Sequence, residues 1–257
     1  NKLTEKLSQL RRKGLIGFVP TMGALHQGHI SLVQRAASEN DTVVVSIFVT
    51  PTQFNDKRDL ERYPRNLEAD IKLLNDQGCH VVFAPGVDEV YPEPDNRIFD
   101  FGHMDKVMEG KFRPGHFNGV AQVVSRLFDM VKPDRAYFGL KDFQQLAIIQ
   151  NMVQQLQLAV EIVPCPIVRE SNGLAMSSRN ELLTKDEREN AALIYKMLSI
   201  SDEWRNTRSL YEVEQSISAG INENPYLETE YVEIVDEDTL EHVTDWHQPG
   251  RKVVCVA

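Results

Sequence analysis

Short apolar runs alternate with stretches of helical periodicity through the first two-thirds of the chain. Leu15-Ile16-Gly17-Phe18-Val19 and Thr42 to Val49 are almost continuously apolar, the pattern of strands buried on both faces of a parallel sheet. Cys79 to Ala84 and Arg135 to Phe138 repeat that pattern. Glu161 to Val168, interrupted by Pro164 and Pro166, reads as a strand at the sheet edge, where a missing N–H is tolerated. Between these runs, Leu3, Leu7 and Leu10 recur at helical spacing until Gly14, and Ser31 to Ala37 is amphipathic. Asn66 reads as the N-cap of a helix that carries Leu67, Ile71 and Leu74 and ends at Gly78. Val120 to Val131 and Phe143 to Leu156 are two more helices, and Arg97 to Phe101 is a further candidate strand. Alternation on this scale predicts an α/β fold: a doubly wound, Rossmann-like parallel sheet with helices on both faces.

The pattern changes near Arg169. Glu170-Ser171-Asn172-Gly173 reads as a turn, followed by the small, polar Met176-Ser177-Ser178-Arg179-Asn180. Thr184-x-x-Glu187 and Ser209-x-x-Glu212 are capping-box signatures opening helices. Leu227 to Val235 and Val253 to Val256 read as strands. The expected organisation is a catalytic domain over residues 1–170 and a smaller α+β C-terminal lid domain over 171–257, hinged near 169–177. No internal repeat or low-complexity tract appears.

Composition narrows the classes. A formal net charge of −10 argues against a general nucleic-acid binder, because phosphate backbones are held by basic surfaces. Three cysteines, Cys79, Cys165 and Cys255, are far apart and form no C-x-x-C, so a reduced, cytoplasmic protein is expected. No signal peptide opens the chain, and the longest apolar run, Val43 to Val49, is too short to span a membrane. The chain begins with Asn, which suggests numbering that starts inside a slightly longer product.

The candidate chemistry gathers at predicted strand ends, where open α/β sheets bind ligands. Pro20 to His29 follows the first strand and opens a helix, a corner expected to collect free backbone N–H groups and the helix dipole for a phosphate. Gly23 and Gly28 allow close backbone approach there, and His26 and His29 share one face of the opening turn. An H-x-x-H pair also raises a metal site, though zinc would want further ligands and none stands nearby. Lys141 and Asp142 follow another strand, suited to a polyphosphate and to ribose or a metal ion. Ser177, Ser178 and Arg179 offer hydroxyls and charge for a triphosphate. Gln53 and Gln145 are neutral groups suited to a hydroxylated substrate. Glu109 to Gly119, with three glycines, reads equally as a mobile wall over a cavity or a solvated loop.

Six blocks then strongly resemble one family: PTMGALHQGH at 20–29, VSIFVTPTQF at 45–54, YPR at 63–65, RPGHFNGV at 113–120, YFGLKDFQQ at 137–145 and RESNGLAMSSRN at 169–180. In order and content they are similar to the pantothenate synthetase family, of the nucleotidyltransferase superfamily. The resemblance implies an ATP-dependent ligase that makes pantoyl adenylate from pantoate, releases pyrophosphate, and passes the pantoyl group to β-alanine, giving pantothenate and AMP. It implies Mg²⁺ accompanying ATP as substrate, metal ligands unknown, no nucleic-acid or membrane partner, and a homodimer. It assigns ATP to Met22, Gly23, Ala24, Leu25, His26, Gln27, Gly28 and His29, to Gly139, Leu140, Lys141 and Asp142, to Val168, and to Met176, Ser177, Ser178 and Arg179. His29 is implied as general acid, and Gln53 and Gln145 as holding pantoate. One departure stands out: the family usually has Asn before the Pro of the second block, where this chain has Thr50. Another adenylate- or cytidylyl-transferring enzyme would share H-x-G-H but not both glutamines with RPGHF. A non-enzymatic nucleotide-binding module is disfavoured by His29 and Lys141. A tRNA synthetase fragment is disfavoured by the negative charge.

Overall fold

The computed structural model describes residues 2–12, 14–50, 53 and 57–257. Its first compact unit comprises Asn1–Phe101 with Arg113–Val168, and its second Gly102–Phe112 with Arg169–Ala257. Segment 102–112, inside the expected first domain, thus packs with the second unit.

The first unit is built on β1 (Ile16–Thr21), β2 (Thr42–Ile47), β3 (Val81–Phe83), β4 (Arg135–Gly139) and β5 (Glu161–Cys165). They form a parallel sheet in the order β3-β2-β1-β4-β5. Its helices are α1 (Lys2–Arg11), α2 (Gln27–Glu39), α3 (Lys57–Arg62), α4 (Leu67–Leu74), α5 (Val87–Val90), α7 (His116–Val131) and α8 (Phe143–Gln155). The short α6 (Met108–Phe112) belongs to the second unit. Successive strand side chains face opposite layers. Val19, Val43, Val45 and Tyr137 therefore pack with Ile30, Val33 and Ala36 of α2 and Leu74 of α4. On the other face Phe18 meets Phe128 of α7 edge-on at 6.2 Å. Burial of both faces explains why β1 and β2 carry almost no polar residues.

Two loops differ from expectation. Arg97 to Phe101 forms no strand, because side chains of α7 satisfy its backbone instead. Phe99 N–H donates to Asn118 Oδ1 at 2.9 Å, and Gln122 Nε2 donates to Arg97 O at 2.8 Å. Glu109 to Gly119 is largely helical, ending α6 and beginning α7 around Gly115, whose φ of +80° glycine adopts freely. Asn66 does cap α4, its Oδ1 accepting from Ala69 N at 3.0 Å.

The second unit holds α9 (Lys185–Ser201), α10 (Leu210–Asn222) and the antiparallel pair β6 (Val232–Asp236) and β7 (Lys252–Val256). Both predicted capping boxes form, at Thr184 with Glu187 and Ser209 with Glu212. The run Leu227 to Val235 is strand only from Val232; ahead of it Thr229 N–H is taken by Asn222 Oδ1 at 2.8 Å. Leu210, Val213, Ile217, Ile221, Ile234 and Val243 form the core. Buried Glu214 is satisfied within it by Ile234 N at 2.7 Å and His242 Nε2 at 2.8 Å. Among the described residues no helix is long and apolar enough to cross a membrane.

Candidate active site

The strand order reverses direction between β1 and β4, and ligands of such sheets bind at the carboxyl ends flanking that reversal. β1 delivers Thr21 to Gly28 there, β4 delivers Gly139 to Asp142, and Gln53 follows β2. Pro51, Thr52 and Phe54 of the predicted second loop lie outside the described residues.

The first loop is a tight turn with two successive positive φ angles, +84° at Gly23 and +48° at Ala24. Thr21 Oγ1 anchors its start by donating to Ser46 O at 2.7 Å. Its apex is held from α4: Asp70, 3% exposed, accepts from Ala24 N at 3.0 Å and Leu25 N at 2.7 Å. The two histidines then cap α2 reciprocally. His26 Nδ1 accepts from Gly28 N at 3.1 Å, and His29 Nδ1 accepts from His26 N at 3.2 Å. An imidazole that accepts at Nδ1 carries its proton at Nε2, so both rings are set as Nε2–H donors, centroids 4.1 Å apart.

This corrects the expected picture of a corner rich in free N–H groups. The N–H groups of Ala24, Leu25, His26 and Gly28 each have a side-chain acceptor. Those four N–H groups are engaged within the turn, and the imidazole Nε2–H groups are the donors it adds.

Electrostatics sharpen the point. Burial, then the neighbouring His26, push the His29 imidazole down from 6.5 to about 3; Asp142 opposes the shift and Lys141 adds to it. His29 is therefore neutral across the physiological range. Lys141 and Asp142 occupy a 3₁₀ turn after β4, with Nζ and Oδ1 3.1 Å apart and both side chains substantially exposed. Gln145 stands half-buried on the first turn of α8. Gln53 is buried with its Nε2 against Met22 Sδ. Its backbone carbonyl accepts from Arg113 Nη2 at 3.2 Å and from His116 Nδ1–H at 2.7 Å. The RPGHF stretch, read from sequence as a wall or a surface loop, thus grips the backbone of Gln53 in the segment that follows β2. Thr50, buried, pairs its hydroxyl with Tyr91 Oη at 3.1 Å.

Within the first unit Gln53 touches Met22, and His29 feels the charges of Lys141 and Asp142; Gln145 belongs to the same unit, and Val168 lies at its end. Met176 to Arg179 belong to the second unit, where Ser177 caps a 3₁₀ turn over Ser178–Leu182 by accepting from Arg179 N at 3.3 Å. That loop is braced from behind. Asn180 Nδ2 donates to Glu170 Oε1 at 2.9 Å and Ala175 O at 3.0 Å, and Glu170 pairs with Arg188 at 3.0 Å. Sequence reasoning missed Asp70, Arg113, His116 and this brace as supports. An acid in the first turn of a helix already answers the helix dipole, so Asp70 carried no signal of a distant partner.

A parallel α/β sheet with two histidines and a lysine at its topological reversal is the arrangement expected of a nucleotide-handling enzyme. Known proteins narrow the class further. The family model described as Pantoate-beta-alanine ligase matches residues 1–257, and the chain belongs to that family. It is 54% identical over 255 residues to a pantothenate synthetase of Bacteroides thetaiotaomicron, covering 99% of this chain and 90% of that one. A Porphyromonas gingivalis pantothenate synthetase is 56% identical over 241 residues, covering 94% and 86%. The crystal structure of pantothenate synthetase from Thermus thermophilus superposes with a TM-score of 0.91 at 44% identity, covering 99% of this chain and 93% of that chain. A pantoate-beta-alanine ligase from Francisella tularensis, complexed with beta-gamma ATP and beta-alanine, gives 0.78 at 38% identity, covering 90% and 86%. The chain is an ATP-dependent ligase that condenses pantoate with β-alanine.

Proposed function

We propose that condensation runs through a pantoyl adenylate and that the residues at the sheet's carboxyl edge divide its two halves. In the first half a pantoate carboxylate oxygen bonds to the α-phosphorus of ATP while the bond to pyrophosphate breaks. In the second, the β-alanine amine bonds to the acyl carbon, AMP leaves with its electron pair, and the amine loses a proton.

The observation that carries this reading is the pair of imidazoles locked as Nε2–H donors beside Lys141. Neutral donors fixed before substrate arrives stabilise phosphoryl oxygens as charge builds, without reorganisation. His29, neutral with its hydrogen held at Nε2, then acts on the departing pyrophosphate as a hydrogen-bond donor and not as a proton source, which revises the general-acid role the resemblance implied. Lys141 adds a point charge for the polyphosphate. Gln53 and Gln145 suit pantoate's hydroxyls, and Met22 to Gly28, Gly139, Leu140, Asp142, Val168 and Met176 to Arg179 the nucleotide. Among the described residues no three His, Cys, Asp or Glu side chains converge into a metal cage. Mg²⁺ accompanying ATP would supply charge neutralisation on the triphosphate, and the exposed carboxylate of Asp142 is one that could face it.

The test is isotope exchange. Labelled pyrophosphate should enter ATP with pantoate and Mg²⁺ alone, and should not with β-alanine alone. Exchange that demanded both substrates would replace the adenylate with a concerted or phosphoryl-transfer route.

A further inference from the structure

We propose that Asp70 is a positioning residue for adenylate formation: its buried carboxylate holds the Gly23–His26 turn in the shape that locks His26 and His29 as phosphate donors. The inference rests on the reading of this loop as the phosphate site.

Asp70 lies on α4, 46 positions from Ala24, yet both its oxygens end on the turn, at 3.0 Å and 2.7 Å from consecutive N–H groups. The turn needs such a clamp. Ala24 is held at φ +48°, a left-handed conformation that a residue with a Cβ keeps only when its surroundings determine it. The fit is close on the other side too: a Cβ on Gly23 would lie 3.0 Å from Asp70 Oδ2 and 3.1 Å from Ile47 Cγ2. From the clamp the hydrogen bonds run on in register. Leu25 N is taken by Asp70, the next N–H by His29 Nδ1, and Gly28 N by His26 Nδ1. Releasing the first link frees the backbone that fixes both imidazole tautomers. The carboxylate has a second consequence. It occupies two N–H groups a phosphate would otherwise find, and its charge repels one, so a phosphate is directed away from Ala24 N and Leu25 N toward the Nε2–H donors and Lys141.

Asp70→Asn and Asp70→Glu, each made in the full chain, separate this from its rivals. Asparagine keeps one acceptor and turns an N–H toward a donor; glutamate keeps the carboxylate but adds a methylene in a buried site. The expected result for Asp70→Asn is a fall of at least about 10-fold in kcat for pantoate-dependent pyrophosphate exchange, from one lost charge-assisted bond. The pantoate KM should stay within about twofold, the dependence on Mg²⁺ concentration should be unchanged, and ¹⁵N spectra should show His29 departing from the Nε2–H tautomer. Asp70→Glu should shift the same quantities in the same direction by less, and it decides the matter if Asp70→Asn does not fold. Exchange within twofold of wild type with the tautomer intact in a folded variant overturns the proposal. So does activity restored by raising Mg²⁺, which would make Asp70 a metal ligand. His29→Ala, run alongside, separates the two readings: if it exchanges normally, the loop is not the phosphate site. If it loses about 10²-fold while Asp70→Asn is normal, the positioning role alone fails.

Discussion

Keeping His29 neutral has a thermodynamic signature that does not depend on substrate. In the unfolded chain its imidazole takes a proton near pH 6.5, while in the fold it does so only near 3. Between those values the unfolded state binds more protons, so stability rises with pH across the window and falls as the solution is acidified through it. At pH 5 the unfolded chain has gained about 1.5 pH units of proton binding that the fold refuses, worth about 2 kcal/mol. The figure is nearly the same for any folded value below about 4, because at pH 5 such a group is still neutral. His29→Gln removes the titration. Urea unfolding at pH 7.5 and pH 5.0 should therefore show wild type losing about 2 kcal/mol more than the variant over that interval, whatever the other histidines and carboxylates contribute to both. Below pH 3 the difference should grow no further. Parallel losses in the two proteins, or a His29 resonance titrating near 6.5, would mean that burial and His26 do not depress the group, and the neutral-donor account of the site would go with it.

Lys141→Met should weaken ATP binding far more than pantoate binding by calorimetry, since a lone ammonium recognises polyphosphate charge; equal losses would move Lys141 out of the nucleotide site. Gly23→Ala should cost about 1–2 kcal/mol in urea unfolding and lower pyrophosphate exchange, because the new Cβ meets a φ of +84° and a carboxylate oxygen at 3.0 Å. An unchanged midpoint would show that the turn relaxes without strain.

The sheet and most of its helices were legible in the sequence because their signal is local. A strand buried on two faces must be apolar throughout, as Val43, Val44 and Val45 are, and a helix start such as Thr184-x-x-Glu187 satisfies its own N–H groups within four residues. The loops proposed to carry the site were legible as strand-end segments, because the strands before them are, while the roles of their residues came from the resemblance of six blocks to one family and not from any single residue pattern. What tertiary structure decided is where polar groups find partners. Arg97 to Phe101 has the residues of a strand, but Asn118 and Gln122, arriving from α7, bind its backbone first. His26 and His29 could have held a metal or faced a ligand with either nitrogen; the capping box settles Nδ1 inward. Asp70 looked like a dipole-matching acid and proves to clamp a turn 46 positions away. Such pairings depend on distances of about 3 Å between segments far apart in the chain, and hydrogen-bond energy vanishes within an ångström of misplacement. Apolar burial needs no partner so exact, so its pattern survives in one dimension while the polar pairings appear in three.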